Sequence, residues 1–475
     1  MDRRLTPLVA ILAGLSLLMF LGVIPWRLVY PFELEWQEGG MLAHLERLRA
    51  GAQLYDAPNL EFSAFPYPPV YHWVAAIVSS ITGPGFLALR LVSVAASLAT
   101  LCMLSVLLKR ESGSALAALV GAGLFAAAFS WSGAWMDVGR VDSLALALSL
   151  GSLLLVRRGR GLRDALAAGV VAGLAVLTKQ TALLPALALA VVLLGQDWRR
   201  WWGFAVGLFL LAGGGLAGLH VSSDGWSSWY LFELLGAHPW YTPKILGFWS
   251  EDMLQLAPLL IALAAGCLRG QGRRVAAVEW AWCSGLVLSA WMGRAHVGGY
   301  DNTLMPAALA LALLGGHVVA WARASAVAGT PWMLAAVGLQ FALLVDDPRE
   351  HLPSAEMRAQ GEAVVRALEQ VGGPIFAPYQ PHLAAWAGAG WSLHAMTLFD
   401  LSAADLGEVE QELFGQLRAA LSEGRYRAVL LAEDEPFKTL LGPEYRLAPA
   451  GAFPAQVPVP LTGKPHAPRL LYLRQ

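Results

Sequence analysis

Long apolar stretches separated by short clusters of arginine and lysine run from Arg3 to Val345, and no other feature constrains the chain as tightly. A helix needs about 20 apolar residues to cross the hydrocarbon of a bilayer, and there it must satisfy its own backbone groups. The basic clusters are Arg3/Arg4, Lys109/Arg110, Arg157/Arg158/Arg160/Arg163, Arg199/Arg200, Arg269/Arg273/Arg274 and Arg323. The positive-inside rule places all of them in the cytoplasm, so the chain goes out and returns between consecutive clusters. Five such hairpins and one last outward span near Gly329 to Val345 give about eleven crossings, each of roughly 20 residues. Composition agrees: 57% of residues are hydrophobic and only 14% charged, with a mean hydropathy of +0.54, far above a soluble domain of this length. The net charge of −1 gives no reason to expect nucleic acid. Cys102, Cys267 and Cys283 fall in apolar stretches without disulfide or zinc spacing and read as small core residues. Residues 1–29 begin like a signal peptide, but the apolar run is too long and lacks a small-residue cleavage site, so it reads as a retained anchor.

The expected fold is an all-α polytopic membrane domain over residues 1–348, with juxtamembrane helices in its first outer loop, and a small extracytoplasmic α/β domain over 349–475. That first loop, Tyr30 to Tyr71, carries Glu33, Glu35, Glu38, Glu46, Asp56 and Glu61, so it lies outside the hydrocarbon. Met41, Leu42, Leu45 and Leu48 recur at helical spacing and predict an amphipathic helix in the membrane interface, stopped at Gly51. Phe65-Pro66-Tyr67-Pro68-Pro69 reads as a rigid turn with aromatics at headgroup level. Val70 to Gly83 is too short to span and predicts a juxtamembrane helix before a true span, Phe86 to Leu108. In the last stretch, Ala355 to Gln370 and Asp405 to Leu421 read as helices, and Pro374 to Ala377 and Arg427 to Ala432 as short apolar strands. Lys464 follows Gly463, but Leu-Thr-Gly-Lys-Pro lacks the first glycine and the strand-to-helix context of a phosphate loop.

Sorted by this topology, the ionisable groups concentrate on the outer side. Glu35 and Glu38 stand in the first turn, Asp137, Arg140 and Asp142 in the second and Lys179 in the third. The fourth holds Asp224, Glu233, His238 and Lys244, and the fifth Arg294, His296, Tyr300, Asp301 and Asn302. Glu35 and Glu38, three residues apart, share a helix face and can position and deprotonate an acceptor; the alternative is a solvated loop with scattered acids. Asp142 opens the apolar run Val141 to Val156, either as a functional carboxylate at the membrane edge or as the cap of that helix. Arg140 either belongs to the site or neutralises Asp137 or Asp142. Between Asp164 and Asp197 there is room for two crossings only if each is about 15 residues, with Lys179 at the join. Short helices meeting at a lysine imply a cavity entered from outside, where an ammonium is a partner for phosphate or, alternatively, a member of a helix-bridging ion pair with Asp142 or Asp137. Arg294 and His296 flank Gly298-Gly299, a flexible backbone able to cradle an anion; snorkelling of Arg294 is the other reading.

Glu38-Gly39, Leu54-Tyr55, Tyr67-Pro68-Pro69-Val70-Tyr71, Arg90-Leu91, Arg140-Val141-Asp142-Ser143-Leu144 and Leu177-Thr178-Lys179, in this order, resemble the glycosyltransferase C superfamily. The branch they resemble contains protein O-mannosyltransferases and lipid A aminoarabinose transferases. The resemblance implies transfer of a sugar from a polyprenyl-phosphate carrier to a glycan, lipid or protein acceptor on the outer face, normally with inversion. It implies a first-loop carboxylate as base, Glu38 or Glu35, supported by Asp142. It implies Lys179 on the donor phosphate with Arg294 or His296 helping, and Arg140, Asp137 and Tyr67 in support. Family members usually show Asp-Glu where this chain has Gln37-Glu38, so either glutamate has taken the aspartate's role. No cofactor and no bound metal are expected, although acids from two loops are able to hold a divalent ion. The implied location is the cytoplasmic membrane, N-terminus inside and the last domain outside. Two other readings stand beside it: a transporter or flippase of an anionic lipid, against which the absence of an inverted repeat counts, and a scaffold, which leaves Asp142 and Lys179 unexplained.

Overall fold

A computed structural model describes residues 2–324, 331–404, 406–432 and 437–475. The chain is mostly helical. The first helices are α1 (Asp2–Leu28), α2 (Glu38–Arg49), α3 (Val70–Thr82), α4 (Phe86–Ser112), α5 (Ala115–Ala127), α6 (Asp142–Arg158), α7 (Leu162–Val176), α8 (Leu183–Gln196) and α9 (Trp198–Leu208). Further helices follow at Ala257–Leu268, Ala277–Ala295, Met305–Ala324 and Pro331–Leu344. A helix occupies each position where a crossing is expected. Among the described residues, five segments suffice by length and composition to cross a membrane: Arg4–Leu28, Phe86–Ser112, Trp198–Ser222, Thr242–Leu268 and Asp301–Ala324. Gly329, at the start of the expected last span, lies outside the described residues, and the helix there begins at Pro331.

The short pair α7 and α8 meets at Thr178 to Thr181, as the spacing predicts, with Lys179 in extended backbone. Close approach seats α7 against α9. A Cβ on Gly169 of α7 would lie 2.1 Å from the Phe204 carbonyl oxygen, and one on Gly207 of α9 would lie 2.4 Å from that of Leu166. Small residues let two backbones touch where lipid supplies no hydrophobic drive between helices.

Helix α2 departs from the expectation of an interfacial amphipathic helix. Residues Glu38 to Leu45 are all buried, because α3, α4 and a later helix, Pro381–Trp386, cover it. Its glycine pair permits that packing: a Cβ on Gly40 would sit 2.2 Å from the Phe65 ring and one on Gly39 2.4 Å from His382 Nδ1. Phe65 is accordingly buried in the protein core. Cys283 is buried as expected, whereas Cys102 and Cys267 are exposed on apolar helix faces.

Residues beyond 354 form helices around a four-stranded sheet of order β1-β2-β4-β3. Strand β1 (Ile375–Phe376) runs parallel to β2 (Ala428–Leu431). Strand β3 (Tyr445–Leu447) and β2 each pair antiparallel with β4 (Leu470–Arg474). All four residues of β2 are buried, consistent with an unbroken Ala-Val-Leu-Leu run covered on both faces. The helix Ala355–Val371 is capped by the Ser354 hydroxyl, which accepts from Met357 N–H. It rests on Phe32 at the end of α1 through Gly361. Helices Ala395–Ala404 and Glu408–Glu423 precede β2; Asp405, where the second was expected to begin, lies outside the described residues. Thr462 N–H donates to the Leu34 carbonyl at 2.8 Å, so this region is stitched directly to the first loop.

Candidate active site

Two buried arginines organise the backbone below the site. Arg90 Nε and Nη2 donate to Glu38 Oε1 and Oε2 at 2.9 and 2.6 Å, and the same guanidinium donates to the carbonyls of Arg27, Tyr30 and Phe32. Glu38 also accepts from Leu34 N–H at 2.7 Å and Gly139 N–H at 2.6 Å. Its carboxyl is fully buried. Burial alone pushes it up, but Arg90 and the two backbone donors outweigh that and hold it below the usual glutamate value. With four donors in place, Glu38 has no lone pair free for an acceptor proton. Arg27 holds Asp137 in the same manner, Nε to Oδ2 at 2.7 Å and Nη2 to Oδ1 at 3.0 Å. Arg294 spends its fork on Asp252, at 3.0 and 3.2 Å, and on Asp301 at 2.9 Å. Glu38, Asp137 and Arg294 are therefore closed pairs, and none of them lines the cavity described next.

That cavity, of about 310 Å³, gathers residues from all five expected outer turns and from beyond residue 395. Trp36 and Gln37 come from the first turn, Arg140 from the second, Lys179 and Gln180 from the third, His238 from the fourth, and His296, Tyr300 and Asn302 from the fifth. Tyr67 joins from the proline-rich turn, and Ser289, Met292 and Pro306 supply a wall between two long helices. Asp400 and Lys464 also line it.

Arg140 is the centre of one wall. Its Nη2 donates to Tyr67 Oη at 2.7 Å, and its Nη1 donates to Glu35 Oε2 at 3.0 Å and also to Gln37 Oε1. Glu35 sits behind it, fully buried, with Oε1 lacking a partner. Burial raises the Glu35 carboxyl to about 7 against the opposing pull of Arg140. On the next wall Lys179 Nζ donates to Asp142 Oδ1 at 2.5 Å, and Asn302 Nδ2 donates to the same oxygen at 3.1 Å. Asp142 is the first residue of α6 rather than its cap, which is Val141. There its charge is favoured by the helix dipole, and its Oδ2 is unpartnered. His296 packs against Trp240 in a tilted arrangement with ring centroids 4.3 Å apart, and burial lowers its basicity.

Two lining residues escaped the sequence reading. Asp400 is buried, its Oδ2 has no partner, and burial pushes its carboxyl up to about 7, with Arg140 pulling the other way. His238 Nε2 approaches its Oδ1 at 3.7 Å. A lone acid closing the apolar run Ala395 to Phe399 was the available signal. Lys464, set aside as a failed phosphate loop, is exposed on the cavity and pairs with no carboxylate among the described residues; nothing in its sequence surroundings indicates that position. Among the described residues no three His, Cys, Asp or Glu side chains gather to hold a metal ion.

Residues 67–222 match the family model of dolichyl-phosphate-mannose-protein mannosyltransferases. None of the curated proteins compared with the chain matches it. In fold, the chain is similar to ArnT from Cupriavidus metallidurans in the apo state, at 14% identity and a TM-score of 0.59 over 98% of this chain and 97% of that one. The undecaprenyl-phosphate-bound ArnT structure matches at 13% identity and a TM-score of 0.59, over 98% of both chains. The archaeal oligosaccharyltransferase AglB from Archaeoglobus fulgidus, solved with an inhibitory peptide and a dolichol-phosphate, matches at 12% identity and a TM-score of 0.50, over 91% of this chain and 70% of that one. Together with the apolar helices, these likenesses mark a multi-pass membrane protein. The resemblance to the glycosyltransferase C superfamily carried by the outer-turn motifs is thus shown both by a family model and by fold.

Proposed function

We propose that this chain transfers a sugar from a polyprenyl-phosphate carrier to an acceptor on the outer membrane face, the face expected to carry residues 349–475; the positive-inside reading of the basic clusters supports that side. The observation that carries the reading is the cavity itself: Arg140, Lys179 and Lys464 share about 310 Å³ with Asp400, whose Oδ2 is unpartnered. In this scheme Asp400 accepts the proton of an acceptor hydroxyl or amine as its heteroatom attacks the anomeric carbon. The bond from that carbon to the phosphate oxygen breaks, and the carrier phosphate departs with the electron pair. Lys179 and Lys464 stabilise the charge that builds on it, more strongly in a partly dry cavity than in bulk water. Asp142 and Asn302 hold Lys179 in place, while Glu35, Gln37 and Tyr67 orient Arg140. Support for a lipid-phosphate donor comes from the undecaprenyl-phosphate and dolichol-phosphate bound to the two relatives of like fold.

The test is to purify wild type, Lys179→Ala and Asp400→Asn in mild detergent, identify copurifying lipids by mass spectrometry, and assay sugar transfer. The expected result is carrier phosphate retained by wild type and Asp400→Asn, depleted in Lys179→Ala, and transfer lost in both variants. Wild-type transfer rates in both variants would overturn the assignment. Transport without chemistry needs no base, so carrier translocation persisting in Asp400→Asn would favour that alternative.

A further inference from the structure

On a different part of the molecule, a cleft of about 610 Å³ opens where the end of α1 and the start of α4 meet the helix Ala355–Val371. It shares no lining residue with the catalytic cavity. Its rim is cationic: Arg358 and Arg366 project from the same face of the Ala355–Val371 helix, two turns apart, and both are exposed. Glu362 stands between them and accepts from Arg358 at 3.0 Å, whereas Arg366 has no acid partner among the described residues. Opposite them lies the start of α4, whose cap position is Gly85; no side chain caps it and its first turn holds no acid. The free N–H groups and partial positive charge of a 27-residue helix therefore face the cleft. Tyr30 also lines it, only 5% exposed, and its buried hydroxyl has no partner. A buried hydroxyl without a partner is costly and calls for an acceptor that protein atoms do not provide.

The floor of the cleft is apolar and reaches the ends of two helices long enough to cross a membrane. Val29 is 69% exposed and Leu87 38%, each at the end of a helix long enough to cross a membrane. Guanidinium groups, an open helix N-terminus and a hydroxyl donor above exposed aliphatic side chains match an anionic headgroup above acyl chains. We propose that this cleft binds an anionic phospholipid of the surrounding bilayer, its phosphate held by Arg358, Arg366, Tyr30 and the first turn of α4. The lipid braces the Ala355–Val371 helix against the ends of α1 and α4. This site does not depend on sugar transfer.

Binding of phosphatidylglycerol and of phosphatidylcholine to the full chain is measured by native mass spectrometry from mild detergent. Wild type is compared with the double variant Arg358→Gln/Arg366→Gln and with Tyr30→Phe. The double variant, altered only at exposed positions, is expected to bind phosphatidylglycerol roughly thirtyfold more weakly. Tyr30→Phe is expected to lose roughly tenfold, and phosphatidylcholine binding is expected to stay unchanged. Equal phosphatidylglycerol binding by wild type and the double variant would overturn the proposal. Displacement of phosphatidylglycerol by equimolar polyprenyl phosphate would overturn it too, by assigning the cleft to the carrier.

Discussion

Two groups of buried charges differ in how completely they are satisfied. In the arginine clasps, both oxygens of Asp137 and of Glu38 have donors, and Arg90 spreads five hydrogen bonds over Glu38 and three carbonyls. Around the cavity the valences stay open: Glu35 Oε1, Arg140 Nε, Asp142 Oδ2 and Asp400 Oδ2 have no partner. Both groups lie out of water, so burial does not separate them. Completeness does. A saturated pair fixes the backbone and has nothing left to offer a ligand, whereas an open valence in a cavity awaits one.

Each expected outcome bears on that division. The largest belongs to Asp400→Asn, for which turnover should fall by about 10²- to 10⁴-fold with no loss of thermal stability; a stability loss with intact turnover would move Asp400 among the clasps. Glu38→Gln should act the opposite way. Removing one partner of a buried pair costs about 3–5 kcal/mol, visible as a lowered unfolding midpoint in detergent, while whatever folds should still retain carrier lipid. Next, Lys179→Ala should lower transfer by about 10²- to 10³-fold with a far smaller stability change than Glu38→Gln.

The smallest effect is in pH dependence. Burial raises the Asp400 carboxyl to about 7, so the basic form accumulates as pH rises through 7, and below that transfer should drop about tenfold per pH unit. Stability runs the other way. The folded-state value lies above an unfolded value of about 3.9, so the folded chain binds the proton more tightly, and the associated stability is present below about pH 4 and is lost as pH rises through 7. Glu35 is raised to about 7 as well. The acidic limb of the rate profile should survive in Glu35→Gln and vanish from the residual rate of Asp400→Asn; the reverse would make Glu35 the base.

What the sequence discloses follows from how local each signal is. Helix positions and the convergence of the outer turns come from apolar run length and flanking charge, which are local, and Tyr67, Arg140, Lys179 and His296 all reach one cavity. The fate of an acid is not local. Glu38 is saturated because Arg90, 52 positions away, turns towards it, and Asp137 because Arg27 does so from 110 positions away. Glu35 and Glu38 are three residues apart and both buried, yet one has a free oxygen and the other none. The interfacial reading of α2 failed for the same reason: its hydrophobic spacing predicts a helix, while the cover over its other face comes from Pro381–Trp386. Asp400 and Lys464 reach the cavity by tertiary packing that no spacing rule encodes.

The stitch at Thr462 has a consequence for biogenesis. Arg27 Nη2 donates to Thr462 Oγ1 at 3.2 Å across 435 positions of chain, and Tyr300 Oη donates to the Gly463 carbonyl at 3.2 Å, which delivers Lys464 to the cavity. Every expected crossing is translated before that segment. A nascent chain already threaded into the bilayer thus carries Arg140 and Lys179 but neither Asp400 nor Lys464, and on the proposed function its cavity stays incomplete until the ribosome has made the segment that closes it.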